Sequence, residues 1–233
     1  MLRLIKLATF STLAMIVLTS ANQSASAQTT VLFDTSLGDI QVELFDATAP
    51  TTVANFLSYV NAAPGSNYDN TLIHRSVDNF VVQGGGFTLP TPGGGAPSGI
   101  PTMPPIVNEF GASNLRGTIA MARLGGQRNS ATNQWFFNVA DNDFLDGVDG
   151  GFTVFGEVTI GLDVVDNINA LNIFNFNGAG GGPFGEVPLI NGTDFVALNS
   201  VTVVPTVVPE PGSMAVLMFC ATGIAAIRRR KLS

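Results

Sequence analysis

The chain has 233 residues, 45% of them hydrophobic and 12% charged, with seventeen acidic and ten basic side chains and a net charge of −7. Six basic residues (Arg3, Lys6, Arg228, Arg229, Arg230 and Lys231) lie at the two ends, leaving Arg75, Arg116, Arg123 and Arg128 against sixteen acidic residues in between. A field of that sign repels phosphate backbones and argues against a nucleic-acid partner, and a single cysteine, Cys220, rules out an intrachain disulfide.

In chain order, Arg3 and Lys6 precede an apolar stretch from Leu7 to Leu18, and Ala25-Ser26-Ala27 supplies small residues for cleavage. This pattern predicts a secretory signal peptide over residues 1–27 and places the remainder outside the cytoplasm. Residues 28–204 are long enough for one sizeable core. Val31 to Phe45 reads as a hairpin, because Ile40, Val42 and Leu44 alternate with polar residues and Ser36-Leu37-Gly38-Asp39 supplies a turn. A helix follows, with Pro50 in its first turn and Val53, Phe56, Leu57 and Val60 on one face.

Strand-sized apolar runs come next at Leu72–Ile73, Phe80–Val82, Thr118–Met121, Trp135–Val139, Phe152–Phe155 and Phe195–Val203. Asp163–Leu171 predicts a second helix, with Val164, Val165, Ile168 and Leu171 on one side. Leu89–Pro105 and Asn175–Pro188 are Gly-rich and read as loops. Many short strands with two helices predict a mainly β fold, a closed β-barrel capped by helices.

The usual catalytic groups are scarce. His74 is the only histidine, no Gly-x-Ser-x-Gly elbow occurs, and the residues offer no zinc site. Asp141-Asn142-Asp143-Phe144-Leu145-Asp146-Gly147 fails the EF-hand spacing and reads as a solvated turn. His74 and Arg75 are neighbours on a strand and face opposite sides, so His74 is expected to be a packed structural residue. What remains is Arg75 among aromatics and glutamines. The segments are His74-Arg75, Phe80-Val81-Val82-Gln83-Gly84-Gly85-Gly86, Met121-Ala122-Arg123, Gln134-Trp135-Phe136-Phe137 and Phe144-Leu145-Asp146-Gly147.

In this order the segments resemble the bacterial branch of the cyclophilin-type peptidyl-prolyl cis-trans isomerases, over about Val31 to Val203. The resemblance implies an eight-stranded antiparallel barrel with two capping helices, and an enzyme without cofactor or metal. It implies a catalytic role for Arg75 and an orienting one for Gln83. Phe80, Val81, Phe136 and Leu145 match the walls of the family's proline pocket. Ala122 and Gln134 match the positions that bind residues preceding proline. Phe144 falls where many members carry tryptophan, and Phe152 where many carry histidine. Arg123 and the Leu124–Asn129 loop also depart from common members. Proline-containing polypeptides are the implied partners, and a monomer the implied state. The alternative is a non-catalytic proline-peptide-binding or extracellular-matrix protein.

The tail, residues 205–233, holds Pro209-Glu210-Pro211, an apolar run from Met214 to Ile227 and the Arg228–Lys231 cluster. It resembles the PEP-CTERM sorting signal of exopolysaccharide-producing Gram-negative bacteria, which is read by an exosortase-type processing enzyme. As a helix the apolar run would reach only about 21 Å, short of a hydrocarbon core of roughly 30 Å. That length suits transient membrane contact during sorting better than a permanent anchor.

Overall fold

The computed structural model describes residues 28–90, 96–178 and 182–205. The predicted signal peptide and the sorting tail from residue 206 onward lie outside the described residues. Among the described residues no helix is long and apolar enough to cross a membrane.

The first hairpin is β1 (Thr30–Thr35) and β2 (Gly38–Leu44), in register with Phe33 opposite Ile40 and Val31 opposite Val42. Its turn is tied by Thr35 Oγ1, which donates to the Gly38 carbonyl at 2.6 Å and accepts from the Leu37 N–H at 3.2 Å. Val31, Phe33, Ile40, Val42 and Leu44 are all buried, as a period of two requires.

Helix α1 (Pro50–Val60) follows. Val53, Phe56 and Tyr59 are its buried apolar residues, whereas Leu57 and Val60 are only partly buried. The inward face is therefore turned from the expected one. Tyr59 decides this: its ring packs on Tyr68 at 5.5 Å, and its hydroxyl accepts the Met103 N–H at 2.7 Å.

Nine of the remaining strands are β3 (Thr71–Leu72), β4 (Arg75–Val77), β5 (Val81–Gly84), β6 (Thr118–Met121), β7 (Trp135–Asn138), β8 (Val154–Ile160), β9 (Ile173–Phe174), β10 (Val187–Ile190) and β11 (Asp194–Phe195). The last is β12 (Ala197–Val204), and α2 (Leu162–Asn169) lies between β8 and β9. Nine strands form one antiparallel sheet in the order β3-β12-β1-β2-β8-β6-β7-β5-β4. Its end strands, β3 and β4, are separated only by Ile73 and His74. The Ile73 N–H donates to the Val196 carbonyl on one side, and the His74 N–H to the Gln83 carbonyl on the other. One bent stretch of chain thus links both ends of a curled sheet, the antiparallel architecture expected; of the predicted run Leu72–Ile73 only Leu72 lies in a strand, and β4 was not anticipated.

A second sheet, β11-β10-β9, was not anticipated. The expected loop Asn175–Pro188 runs into β10, where Val187 and Leu189 are buried against Leu72. The expected strand Phe152–Phe155 begins two residues later and runs on to Ile160.

The interior is aromatic. Trp135 lies edge-on to Phe33 at 5.1 Å and Phe137 at 5.2 Å, and Phe33 stacks on Phe56 at 5.9 Å. Each such burial contributes about 1.5–3 kcal/mol. Val164, Val165 and Ile168 of α2 join the same core. A separate apolar cluster of Val81, Ala120, Phe136, Leu145 and Val154 forms on the other face of the sheet.

Candidate active site

Residues of β7 divide between the two faces. Trp135 and Phe137 enter the main core, and Phe136 the second cluster, so every residue of the strand is buried. The register carries the second face across neighbouring strands: Arg75 opposes Gln83, Gln83 opposes Phe136, and Phe136 opposes Ala120. Directly opposed side chains share a face, which sets Arg75, Gln83 and Phe136 in one row. His74 points the other way and is buried. It rests edge-on against Phe87 at 4.9 Å. Burial, then the neighbouring Arg75 charge, lower its pKa to about 4, so it is neutral at pH 7.

Two glycines bring this row together. Gly85 has φ +81, and a Cβ there would lie 2.6 Å from Trp135 Nε1 and 2.8 Å from the Asn133 carbonyl. A Cβ on Gly86 would meet the Gln134 side chain at 2.8 Å. Without side chains at these positions, Gln134 can approach β5, where Gln83 Nε2 donates to its Oε1 at 2.9 Å.

The row opens into a cavity of about 260 Å³ lined by Arg75, Phe80, Val81, Gln83, Ala122, Arg123, Phe136, Leu145 and Phe152. A neighbouring cavity of about 370 Å³ is lined by Gln83, Ala122, Arg123 and Gln134, with Thr102, Leu124, Ser130 and Thr132. Of the ten residues singled out from the sequence, eight line the first cavity and Gln134 the second. Phe144 lines neither. It is 58% exposed and stacks on Phe80 at 5.7 Å, at the outer rim.

Arg75 is half-buried. Its Nε donates to Glu186 Oε2 at 2.8 Å, its Nη1 reaches Gln83 Oε1 at 3.5 Å, and its guanidinium carbon lies 5.9 Å from the Phe80 ring centre. Arg123 forms a wall common to both cavities. Its side chain is 2% exposed, lies 4.1 Å from the Phe152 ring centre, and donates from Nη2 to the Val148 carbonyl at 2.6 Å. Phe152 in turn meets Phe136 edge-on at 5.8 Å.

An amide network fixes the loops around the hollow. Asn142 Nδ2 donates to the Phe80 carbonyl and to Asn138 Oδ1, both at 2.8 Å. Asn114 donates to Asp146 from its backbone at 3.0 Å and its side chain at 2.9 Å, and Ser113 Oγ donates to the same carboxylate. The expected solvated turn at Asp141–Gly147 is corrected here. Residues Asp143–Asp146 form a 3-10 turn anchored by Asp146, with Leu145 buried in the cavity wall. Burial raises the Asp146 pKa, but the bonds from Asn114 and Ser113 outweigh it, and the net shift is downward.

The sequence reading missed Glu186, and treated Asn142 and Asp146 as turn residues. For Glu186 the one available signal was the apolar run Val187-Pro188-Leu189-Ile190 beside it, which marks a strand edge. Among the described residues no three His, Cys, Asp or Glu side chains cluster as metal ligands. The site consists of the Arg75 donor fork at the edge of an apolar hollow, with the Arg123 side chain packed into the wall on Phe152. That arrangement suits an apolar ring whose neighbouring polar atom gains basicity, and it offers no nucleophile.

Comparison with known proteins agrees with this chemistry. The sequence model described as cyclophilin type peptidyl-prolyl cis-trans isomerase/CLD matches residues 30–191. Peptidyl-prolyl cis-trans isomerase A of Dickeya dadantii is 43% identical over 169 residues, covering 71% of this chain and 81% of that protein. Peptidyl-prolyl cis-trans isomerase B of Escherichia coli is 45% identical over 148 residues, covering 60% and 84%. A crystal structure of a cyclophilin-type isomerase from Cryptosporidium parvum superposes with a TM-score of 0.55 at 21% identity, covering 77% of this chain and 99% of that one. The same protein has also been solved in the presence of the dipeptide Ala-Pro. The length of these matches and the fold together establish that this chain belongs to the cyclophilin-type peptidyl-prolyl cis-trans isomerases.

Proposed function

We propose that this isomerase is exported and accelerates X–Pro rotation in secreted or surface proteins, with Arg75 as the catalytic group and Gln83 as the residue that orients it. One observation carries the reading: a guanidinium stands at the edge of an open apolar cavity floored by Phe136 and Leu145. Rotation about an X–Pro bond is slow because amide resonance opposes it, with a barrier near about 20 kcal/mol. Midway through the turn the proline nitrogen loses conjugation and its lone pair becomes basic. An arginine N–H directed at that lone pair stabilises the twisted state more than either planar state, which is the condition for catalysis.

Arginine fits this task because it stays charged and presents several donors in a rigid fork. Phe80, Val81, Phe136, Leu145 and Phe152 supply apolar walls for the pyrrolidine ring, and the low local dielectric strengthens the arginine's field. Ala122 and Gln134 face the neighbouring cavity, where residues preceding proline would lie. Phe144 extends the rim. The Ala-Pro dipeptide used with the Cryptosporidium relative supports a proline-containing peptide as the ligand class here. The basic-then-apolar order of residues 3–18 and the small residues at 25–27 support export. The Pro-Glu-Pro, apolar and arginine-rich order of the tail supports exosortase-type processing at the membrane.

The test is a proline-isomerisation assay on the purified protein. Arg75→Ala should lower kcat/KM by about 100-fold or more, the scale on which a transition-state donor acts. Negligible turnover by the wild type, or full turnover by the variant, would overturn the proposal.

A further inference from the structure

Glu186 stands 111 positions from Arg75 in sequence, yet its carboxylate accepts the Arg75 Nε–H at 2.8 Å. Nothing local brings it there. Its backbone is fastened to β4, because the Ser76 N–H donates to the Glu186 carbonyl at 2.7 Å. On its other side β10 begins, and Val187 and Leu189 are buried with Leu72, against Phe87 and Phe184. β4 of the large sheet on one side and β10 of the second sheet on the other therefore hold this residue beside the cavity.

We infer that Glu186 is a positioning residue that sets the plane of the Arg75 guanidinium for turnover. The inference rests on the isomerase reading of Arg75. An arginine has five N–H donors in a fixed fork. Glu186 takes the single one on Nε, and Gln83 stands 3.5 Å from Nη1. The other donors have no hydrogen-bond partner among the described residues, on a side chain that lines the cavity. A carboxylate on Nε fixes rotation about the side chain's terminal torsions. The Nη groups then stay directed toward the space a prolyl nitrogen would occupy. Both side chains of the pair are more than a third exposed, so the pair adds little to folding. Its effect on catalysis is consequently separable from its effect on stability.

The experiment compares the full chain with Glu186→Ala, Glu186→Gln and Arg75→Ala, measuring kcat and KM separately on a proline-containing peptide, with melting temperature alongside. Glu186→Ala should lower kcat about 10-fold, as misplacement of a reacting group does, with KM within about twofold and melting temperature unchanged. Glu186→Gln keeps an acceptor oxygen for Nε and should retain more than half of the wild-type kcat. The inference is overturned if Glu186→Ala keeps or exceeds wild-type kcat, if only KM changes, or if the glutamine variant falls as far as alanine. A loss of kcat that tracks a lowered melting temperature in both variants overturns it as well. Wild-type turnover abolished by Arg75→Ala establishes the catalytic arginine whatever the Glu186 variants do, so the two readings fail separately.

Discussion

His74 and Arg75 differ by one position and have opposite fates, as strand alternation predicts, although in the fold His74 lies in the bend before β4 and Arg75 opens that strand. That much was legible in the sequence. The protonation cost at His74 was not, because it depends on what closes over the ring. Its pKa lies at about 4, against 6.5 in an open chain. Between those values the unfolded chain binds a proton that the folded one refuses. Stability is therefore fully present above pH 6.5, declines as pH falls toward 4, and levels off below. The loss between pH 7 and pH 4.5 should be about 2 to 3 kcal/mol. Denaturant titrations at the two pH values check this, and His74→Gln should remove most of the slope. An equal slope in the variant would show that other groups carry it. Arg75 presents the complementary lesson. Its residue type and motif marked it in the sequence, whereas its bond to Glu186 appears only when β10 lies beside β4.

At the scale of elements, α1 was recognisable from Pro50 and its apolar spacing, but its cap was not. Ala49 precedes the helix and offers no side-chain acceptor. Glu109 does so from 57 and 58 positions away, accepting the Thr51 N–H at 3.1 Å, the Thr52 N–H at 2.7 Å and the Thr52 hydroxyl at 2.8 Å. A carboxylate there satisfies exposed helix donors and complements the helix dipole. Burial raises the Glu109 pKa, the bonds to Thr51 and Thr52 outweigh that, and the net shift is downward. The contribution is present above the ordinary carboxylate range and lost as pH falls through the lowered folded value. Glu109→Ala should cost about 1 to 2 kcal/mol at pH 7, the range of a lost cap. The gap between variant and wild type should close in acid, below the ordinary carboxylate range, because the Glu109 shift is downward. Thermal melts at neutral pH and in acid test this, and a gap that persists in acid would contradict it. The predicted Leu72–Ile73 strand ends at Leu72 for a similar reason. Residues 73–74 must turn from partnership with β12 to partnership with β5, and no local propensity announces such a bend.

For the whole molecule, the curled sheet creates two apolar regions from one set of strands, an interior around Trp135 and an outer cluster around Phe136 that floors the cavity. The ends of the chain carry a prediction of their own. If the tail is a processed sorting signal, mass spectrometry of the protein recovered from its producing cells should find a mature form that begins after Ala27 and ends near Pro209–Pro211. Recovery of an intact Ser233 terminus would exclude processing. The chain's own residues determined the antiparallel strand pattern, both helices, the scarcity of nucleophiles, and eight of the nine residues that line the first cavity. The strand pattern, the helices and the scarcity of nucleophiles rest on periodicity or residue chemistry within a short window, and the cavity residues on the resemblance of the motifs to the cyclophilin family. Tertiary structure alone decided that Glu186 meets Arg75, that Glu109 caps α1, that Asp146 anchors the Leu145 turn, and that β9, β10 and β11 form a sheet. Those contacts join residues up to 111 positions apart, and such pairs are selected by the packing of the folded chain, which no local stretch of sequence encodes.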